Sequence, residues 1–165
     1  MKRLVYLVAI SVVVSLFMSS CHDDYKTDFS PQLGSSMFLL NGTDTLSFKY
    51  IAKDSLYLLD TLALNDTVRY RLFCSTYAND MTSLLLSQEG TSVKSEVLAD
   101  NTLASILTPE SKVEESQLYF IENYNGLILP LQMVAVATGE SLLSWQLSST
   151  SKFSPCYLRF RVVVK

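Results

Sequence analysis

Only one histidine occurs in the 165-residue chain, His22, and it sits in the polar run His22-Asp23-Asp24-Tyr25-Lys26-Thr27-Asp28. Nucleophilic catalysis by serine or cysteine needs a base held rigidly within hydrogen-bond reach of the nucleophile. A segment this polar and acidic has too little apolar area to order itself, so Ser-His-Asp and Cys-His chemistry are not expected. No histidine or cysteine cluster has zinc-ligand spacing, no alternation of acids matches a calcium loop, and the five glycines build no phosphate loop. Glu114-Glu115 is the one adjacent glutamate pair. Glycoside hydrolysis places two carboxylates across a substrate cleft, whereas a glutamate pair on a short surface helix is a solvated face. Neither an enzyme activity, nor a metal, nor a cofactor is expected.

Cys74 and Cys156 lie in apolar segments. In an exported domain they allow one disulfide, which would close a loop of about 80 residues and stabilise by roughly 4 kcal/mol in the chain-entropy model. The alternative is two thiols packed as small hydrophobes. Neither belongs to a C-x-x-C pair, so a redox dithiol is not expected. Trp145 alternates with Leu143 and Leu147, which places it in the core. Tyr119 and Tyr124 lie in or near the hairpin expected around Asn125-Gly126 and are the aromatics expected to meet a ligand. Asp44-Thr45-Leu46, Asp54-Ser55-Leu56, Asp60-Thr61-Leu62 and Asp66-Thr67-Val68 share one form: acid, hydroxyl, aliphatic. The plain reading is a turn ending in Asp followed by a strand opening on Thr or Ser.

The elements that would carry these residues begin with an address. Lys2 and Arg3 precede the uncharged run Leu4–Met18, and small residues follow at Ser19 and Ser20. A basic start, an apolar stretch of about 15 residues and a small-residue junction form a secretory signal rather than a bilayer span of about 20. Met18-Ser19-Ser20-Cys21 resembles the lipobox of bacterial lipoproteins, with Met where that family usually carries Leu. The resemblance implies cleavage before Cys21 and a lipid on its thiol, and several acyl chains hold a domain firmly at a membrane. The acidic run His22–Asp28 resembles the export signal of surface lipoproteins in the Bacteroidetes. It implies display on the outer face of the outer membrane, with a periplasm-facing anchor as the alternative. The four triplets resemble the O-glycosylation acceptor motif of Bacteroidetes envelope proteins, which implies glycans on Thr45, Ser55, Thr61 and Thr67.

Removing residues 1–20 takes away Lys2 and Arg3 and no acid, which leaves 11 basic against 16 acidic residues, a net charge of −5. That balance argues against nucleic-acid binding. Residues 21–34 are expected to form a flexible acidic tether ending near Pro31 and Gly34. Residues 35–165 are expected to form one β-sandwich domain.

Beyond Ser36 the chain alternates short apolar runs with turn residues about every ten positions, the pattern of an all-β sandwich or small barrel. Strands are expected at 36–41, 44–52, 55–64, 67–76, 91–98, 102–107, 117–124, 127–137, 141–148 and 156–164. The last is the clearest: Leu158, Phe160, Val162 and Val164 share one face, and Tyr157, Arg159 and Arg161 the other. Asn41-Gly42 and Asn125-Gly126 are hairpin signals. Pro130 should mark an edge, a bulge or a break in its strand. Thr108-Pro109-Glu110 has the form of a helix start, so a short helix is expected at 109–116, and 79–88 is ambiguous between helix and strand.

The predicted fold is an immunoglobulin-like antiparallel β-sandwich, with a small up-and-down barrel as the alternative. The expected function is a non-enzymatic cell-envelope lipoprotein. It would bind a glycan, peptide or protein, with the membrane engaged through Cys21. The alternatives are an assembly subunit joined by strand addition, favoured by a long unpaired edge at 127–137 or 156–164, and a carrier of small hydrophobic ligands, which needs a closed barrel.

Overall fold

The computed structural model describes residues 28–165. The expected signal segment, Cys21, His22 and the tether up to residue 27 lie outside the described residues. The described residues form twelve strands: β1 (Gln32–Ser35), β2 (Phe38–Leu40), β3 (Asp44–Leu46), β4 (Phe48–Ile51), β5 (Leu56–Leu59), β6 (Thr67–Ser75), β7 (Met81–Glu89), β8 (Val93–Val97), β9 (Gln117–Tyr119), β10 (Gly126–Ala135), β11 (Gly139–Ser149) and β12 (Cys156–Val164). A short helix, α1 (Asn101–Ile106), follows β8.

The strands build two six-stranded sheets that do not close into a barrel. Sheet A runs β3-β2-β6-β10-β8, with β1 lying beside β6 in line with β2; sheet B runs β4-β5-β12-β11-β7-β9. Taken in chain order, β1, β6, β7, β8, β10, β11 and β12 occupy the places of the seven strands of an immunoglobulin domain. The set β1-β6-β10-β8 lies in one sheet and β7-β11-β12 in the other. One pairing departs from the antiparallel expectation: β5 runs parallel to β12.

Alternation drives the sandwich. Val68, Tyr70, Leu72 and Cys74 of β6 face inward and are buried; Arg69, Arg71 and Phe73 face out. Leu143, Trp145 and Leu147 of β11 and Leu158, Phe160, Val162 and Val164 of β12 meet them from sheet B. Phe38 of sheet A is fully buried and packs its ring against Phe160 of sheet B at 5.6 Å, Tyr70 at 5.5 Å and Tyr57 at 5.6 Å. Trp145 is also fully buried, and its indole Nε1–H donates to the Tyr70 hydroxyl across the sheets at 3.4 Å.

Several local expectations are corrected. The strand expected at 102–107 is α1: the Asp100 carboxylate accepts from the Leu103 N–H at 2.8 Å, and Leu103 and Ile106 bury one face. Pro109 stands beyond the end of that helix instead of opening one, and 109–116 holds only a single 3-10 turn at Val113–Glu115. The ambiguous stretch 79–88 is strand β7. The expected strand 44–52 divides at Ser47, with β3 in sheet A and β4 in sheet B. The expected strand 117–124 ends at Tyr119, and Asn125-Gly126 makes no hairpin, because β9 lies in sheet B and β10 in sheet A. Asn41-Gly42 does turn β2 into β3, both residues at positive φ. The fold also begins earlier than residue 35, since Gln32–Gly34 of the expected tether belong to β1.

Pro130 lies inside β10, a central strand. Its partner on β6 is Arg71, whose N–H and carbonyl both bond Ser36 on the opposite side. Pro130 therefore turns its backbone toward β8, where its carbonyl accepts from Leu98 at 3.0 Å just beyond the last residue of β8. The missing N–H falls where the ladder has already stopped, a local edge inside a central strand.

Candidate functional site

The outward face of sheet B carries an unusual set of side chains. Cross-strand register places Gln117 of β9, Leu85 of β7, Gln146 of β11 and Tyr157 of β12 in one row. Ser87 and Ser144 pair in the next row, and Tyr119 stands opposite Ser83 in the row on the other side. All of these except Ser83, together with Leu86, line an open groove of about 270 Å³. Tyr119 is 36% exposed and Tyr157 44%. The two strands that carry them are three inter-strand steps apart, about 14 Å.

Local structure explains why both rings stay outside. Leu118 and Leu158 are inward and buried, so strand alternation turns Tyr119 and Tyr157 to solvent. β9 is the edge strand, and the segment after α1 braces it. Thr108 donates its N–H to the Tyr119 carbonyl at 2.9 Å, and Ser111 both accepts from the Tyr119 N–H at 2.9 Å and donates to its carbonyl at 3.0 Å.

Chemically the groove offers two aromatic faces, two leucines, two primary amides and two serine hydroxyls, and no lining residue is charged. Aromatic rings accept apolar C–H faces, while amides and hydroxyls exchange hydrogen bonds with neutral polar groups. The arrangement suits a ligand that is neutral and hydroxyl-rich.

The expected aromatic pair is separated. Tyr119 lines the groove, while Tyr124 lies beyond β9, half-buried against the core, and lines a small cavity of about 90 Å³ beside α1. The sequence places Tyr157 on the wet face of its strand but does not mark it or the two glutamines as ligand-facing. The signal was there: Tyr157 alternates with buried Leu158 in the most regular strand of the chain. What was hidden was its neighbour, since only the pairing of β7 with both β9 and β11 brings Tyr119 to the same face.

Cys74 is buried and Cys156 half-buried, and both thiols are free. They sit at the same end of opposite sheets. Burial pushes the Cys74 thiol up to about 12, with a smaller upward push from Cys156; burial also raises Cys156 to about 11. Both are protonated and unreactive at neutral pH.

Of the four triplet hydroxyls, Thr45 and Thr61 are exposed, whereas Ser55 and Thr67 are half-buried. Leu46, Leu62 and Val68, the aliphatic residues of three triplets, are buried. Glu114 and Glu115 are exposed, and Lys112 pairs with Glu115 at 3.3 Å, as a solvated surface would. Among the described residues no group of three or more His, Cys, Asp or Glu is placed to hold a metal.

A second, larger groove of about 380 Å³ lies on the outer face of sheet A between Met37, Leu39, Leu98 and Pro130, with Arg69 and Arg71 beside it. It too is open to solvent; the closed barrel that a hydrophobic-ligand carrier requires is not formed. Strands 127–137 and 156–164 are not edges: β10 is flanked by β6 and β8, and β12 by β11 and β5. The terminal strands β3, β4, β8 and β9 span three to five residues each, short edges of the kind that discourage strand addition.

No protein-family model matches the chain, and no curated protein matches it in sequence. Among solved structures it is similar to a family 123 glycoside hydrolase from Clostridium perfringens. That match has a TM-score of 0.43 and 13% identity over 81% of this chain and 27% of that one, so the chain spans about a quarter of the hydrolase. It is also similar to a FixG-related protein from Vibrio parahaemolyticus, with a TM-score of 0.38 and 12% identity over 81% of this chain and 96% of that one. Neither likeness is close enough to carry a functional argument.

Proposed function

We propose that this protein is a non-enzymatic envelope module that binds a neutral glycan on the outer face of sheet B. The observation that carries the reading is the juxtaposition of Tyr119 and Tyr157 around Gln117 and Gln146 in one uncharged groove. The tyrosine rings stack on the C–H faces of sugar rings, and the glutamines and serines exchange hydrogen bonds with sugar hydroxyls. Binding rather than cleavage is supported by the lining, which lacks the carboxylate pair that glycoside hydrolysis uses. A lipid on Cys21 holds the module at the outer membrane, on the cell surface, and Thr45 and Thr61 are the acceptors best placed for O-glycosylation.

The test is a titration of the chain against a panel of neutral oligosaccharides by calorimetry. Tyr119→Ala and Tyr157→Ala should each weaken binding at least about tenfold, equivalent to 1.4 kcal/mol, while Tyr124→Ala should leave affinity unchanged. Retention of no glycan by the unaltered chain would overturn the reading, as would full affinity in the Tyr157→Ala protein. Binding lost instead with Arg69→Ala or Arg71→Ala would move the site to the groove on sheet A.

A further inference from the structure

The end of the sandwich where the described chain begins differs from the opposite end. Asp28 reaches the turn between β11 and β12: its Oδ2 accepts from the Lys152 N–H at 3.3 Å, and the Lys152 ammonium lies 3.7 Å away. The next residue, Phe29, packs its ring on Tyr77 of the β6–β7 turn at 4.9 Å. That turn is in turn fastened to the β11–β12 turn, because Thr150 donates its N–H to the Asp80 carbonyl at 2.9 Å and Asp80 donates its N–H to the Thr150 hydroxyl at 3.0 Å. Three segments thus converge on one end, and each presents an aromatic ring to solvent: Phe29 is 45% exposed, Tyr77 41% and Phe153 46%.

Exposing three large rings together costs free energy that a solvated loop end has no reason to bear. Aromatic side chains are favoured where an apolar phase meets water. The chain says which phase lies nearby. The 27 residues before Asp28 join the sandwich at this end, and they contain the uncharged run Leu4–Met18 and Cys21. From Cys21 to Asp28 the chain spans at most about 24 Å when fully extended. An anchor at Cys21 therefore keeps this end, and no other, beside the bilayer. At such a distance the local concentration of lipid surface is high, and a weak contact becomes an occupied one.

We infer that Phe29, Tyr77 and Phe153 form a docking surface for the lipid–water interface, seating the sandwich end-on against the membrane that anchors it. The inference rests on the lipid anchor of Cys21 proposed above. End-on seating sets both sheet faces upright, so the Tyr119–Tyr157 groove opens sideways, parallel to the membrane. Recognition is apolar and interfacial rather than ionic, since Lys152 is already engaged by Asp28 and the neighbouring Asp80 is acidic.

The test uses the full lipoprotein purified from membranes, with the acyl group on Cys21 checked by mass, reconstituted into phosphatidylcholine vesicles with plain or brominated acyl chains. Phe153→Trp places a reporter at the proposed surface, and Leu64→Trp places one in the turn before β6, at the opposite end. Buried Trp145 gives a constant background. The expected result is a blue-shifted emission from the Phe153→Trp chain, quenched about twofold or more by brominated lipid, with no quenching of the Leu64→Trp chain. No quenching of either reporter, or equal quenching of both, overturns the docking surface. A mass without acyl chains overturns the anchor alone. The same two variants are then titrated with excess vesicles, and saturable quenching confined to Phe153→Trp sustains the surface, while its absence sinks it.

Discussion

Ser111 holds Tyr119 at both ends of its peptide unit. The serine hydroxyl accepts from the Tyr119 N–H at 2.9 Å and donates to the Tyr119 carbonyl at 3.0 Å. β9 pairs with β7 over only three residues and has no strand on its other side, so this hydroxyl, with the backbone of Thr108 and Lys112, does the work of a missing neighbour. The ring that lines the groove on sheet B is therefore aimed by a side chain eight positions upstream.

Replacing Ser111 by Ala should loosen the edge without touching the groove's chemistry. Losing two partly exposed hydrogen bonds costs about 1–2 kcal/mol, a fall in melting temperature of about 3–8 °C. Glycan affinity should fall several-fold, and Ser111→Thr, which keeps the hydroxyl, should restore most of it. Calorimetry on the two variants checks this. Unchanged affinity in Ser111→Ala would mean that β7 and the Thr108 N–H fix Tyr119 without the hydroxyl.

Alkaline stability should track Cys74 and Tyr70. Burial holds the Cys74 thiol protonated up to about 12, against an ordinary value of 9.0, and raises Tyr70 from 10.0 to about 12. Above pH 9 the unfolded chain has lost a thiol proton that the folded chain keeps. The contribution is complete below pH 9 and drains away as pH rises toward 12, at about 1.4 kcal/mol per pH unit for one thiol. The tyrosine adds a like term above pH 10. Urea unfolding between pH 8 and 10.5 should show this slope, and Cys74→Ala should reduce it. An identical slope in that variant would assign the alkaline loss elsewhere.

The thiols can also be counted. Native protein at pH 7.5 should react slowly with a thiol reagent, Cys156 before the deeper Cys74. Denatured without reductant, the mature chain should titrate two thiols, Cys74 and Cys156, with the proposed lipid blocking Cys21. Three would mean an unacylated Cys21, and none a bridge between Cys74 and Cys156.

The parts of the fold legible in the sequence are those with a strict period of two. β6, β11 and β12 alternate buried and exposed residues almost without exception, and their extents match within two residues at either end. What misled was chemistry that means one thing locally and another in context. Asn125-Gly126 has hairpin residues, but the inward sides of β9 and β10 belong to different sheets, and tertiary burial overrides the turn. Thr108-Pro109 suits a helix start and equally a helix stop; the cap at Asp100 decided which, with Leu103 and Ile106 the apolar pair that made a helix worth forming. The groove was half legible. Tyr119 is visible as an exposed aromatic, but Gln117, Gln146 and Tyr157 join it only through pairings that link residues far apart in the chain, and no local pattern records those.

The turn from β7 into β8 shows how little slack that pairing leaves. Gly90 has φ +81°, and a Cβ there would overlap the Glu140 carbonyl oxygen and come within 3.0 Å of the Ser141 hydroxyl. That hydroxyl is buried, lies 2.7 Å from the Ser92 hydroxyl and accepts the Ser92 N–H at 2.9 Å. The Ser92 carbonyl in turn accepts from Val136 at 2.8 Å, where β10 gives way to β11. Ser141→Ala leaves a buried N–H and hydroxyl without their partner and should cost about 1–3 kcal/mol. Gly90→Ala adds backbone strain of about 1–3 kcal/mol to the displacement of Glu140 and Ser141. Both act through the Ser92 hydrogen bonds, so the double variant should lose less stability than the two single losses combined. Chemical unfolding of the three variants measures the difference. Strict additivity would mean that Gly90→Ala is accommodated by moving Glu140 alone, with the Ser92–Ser141 pair left intact.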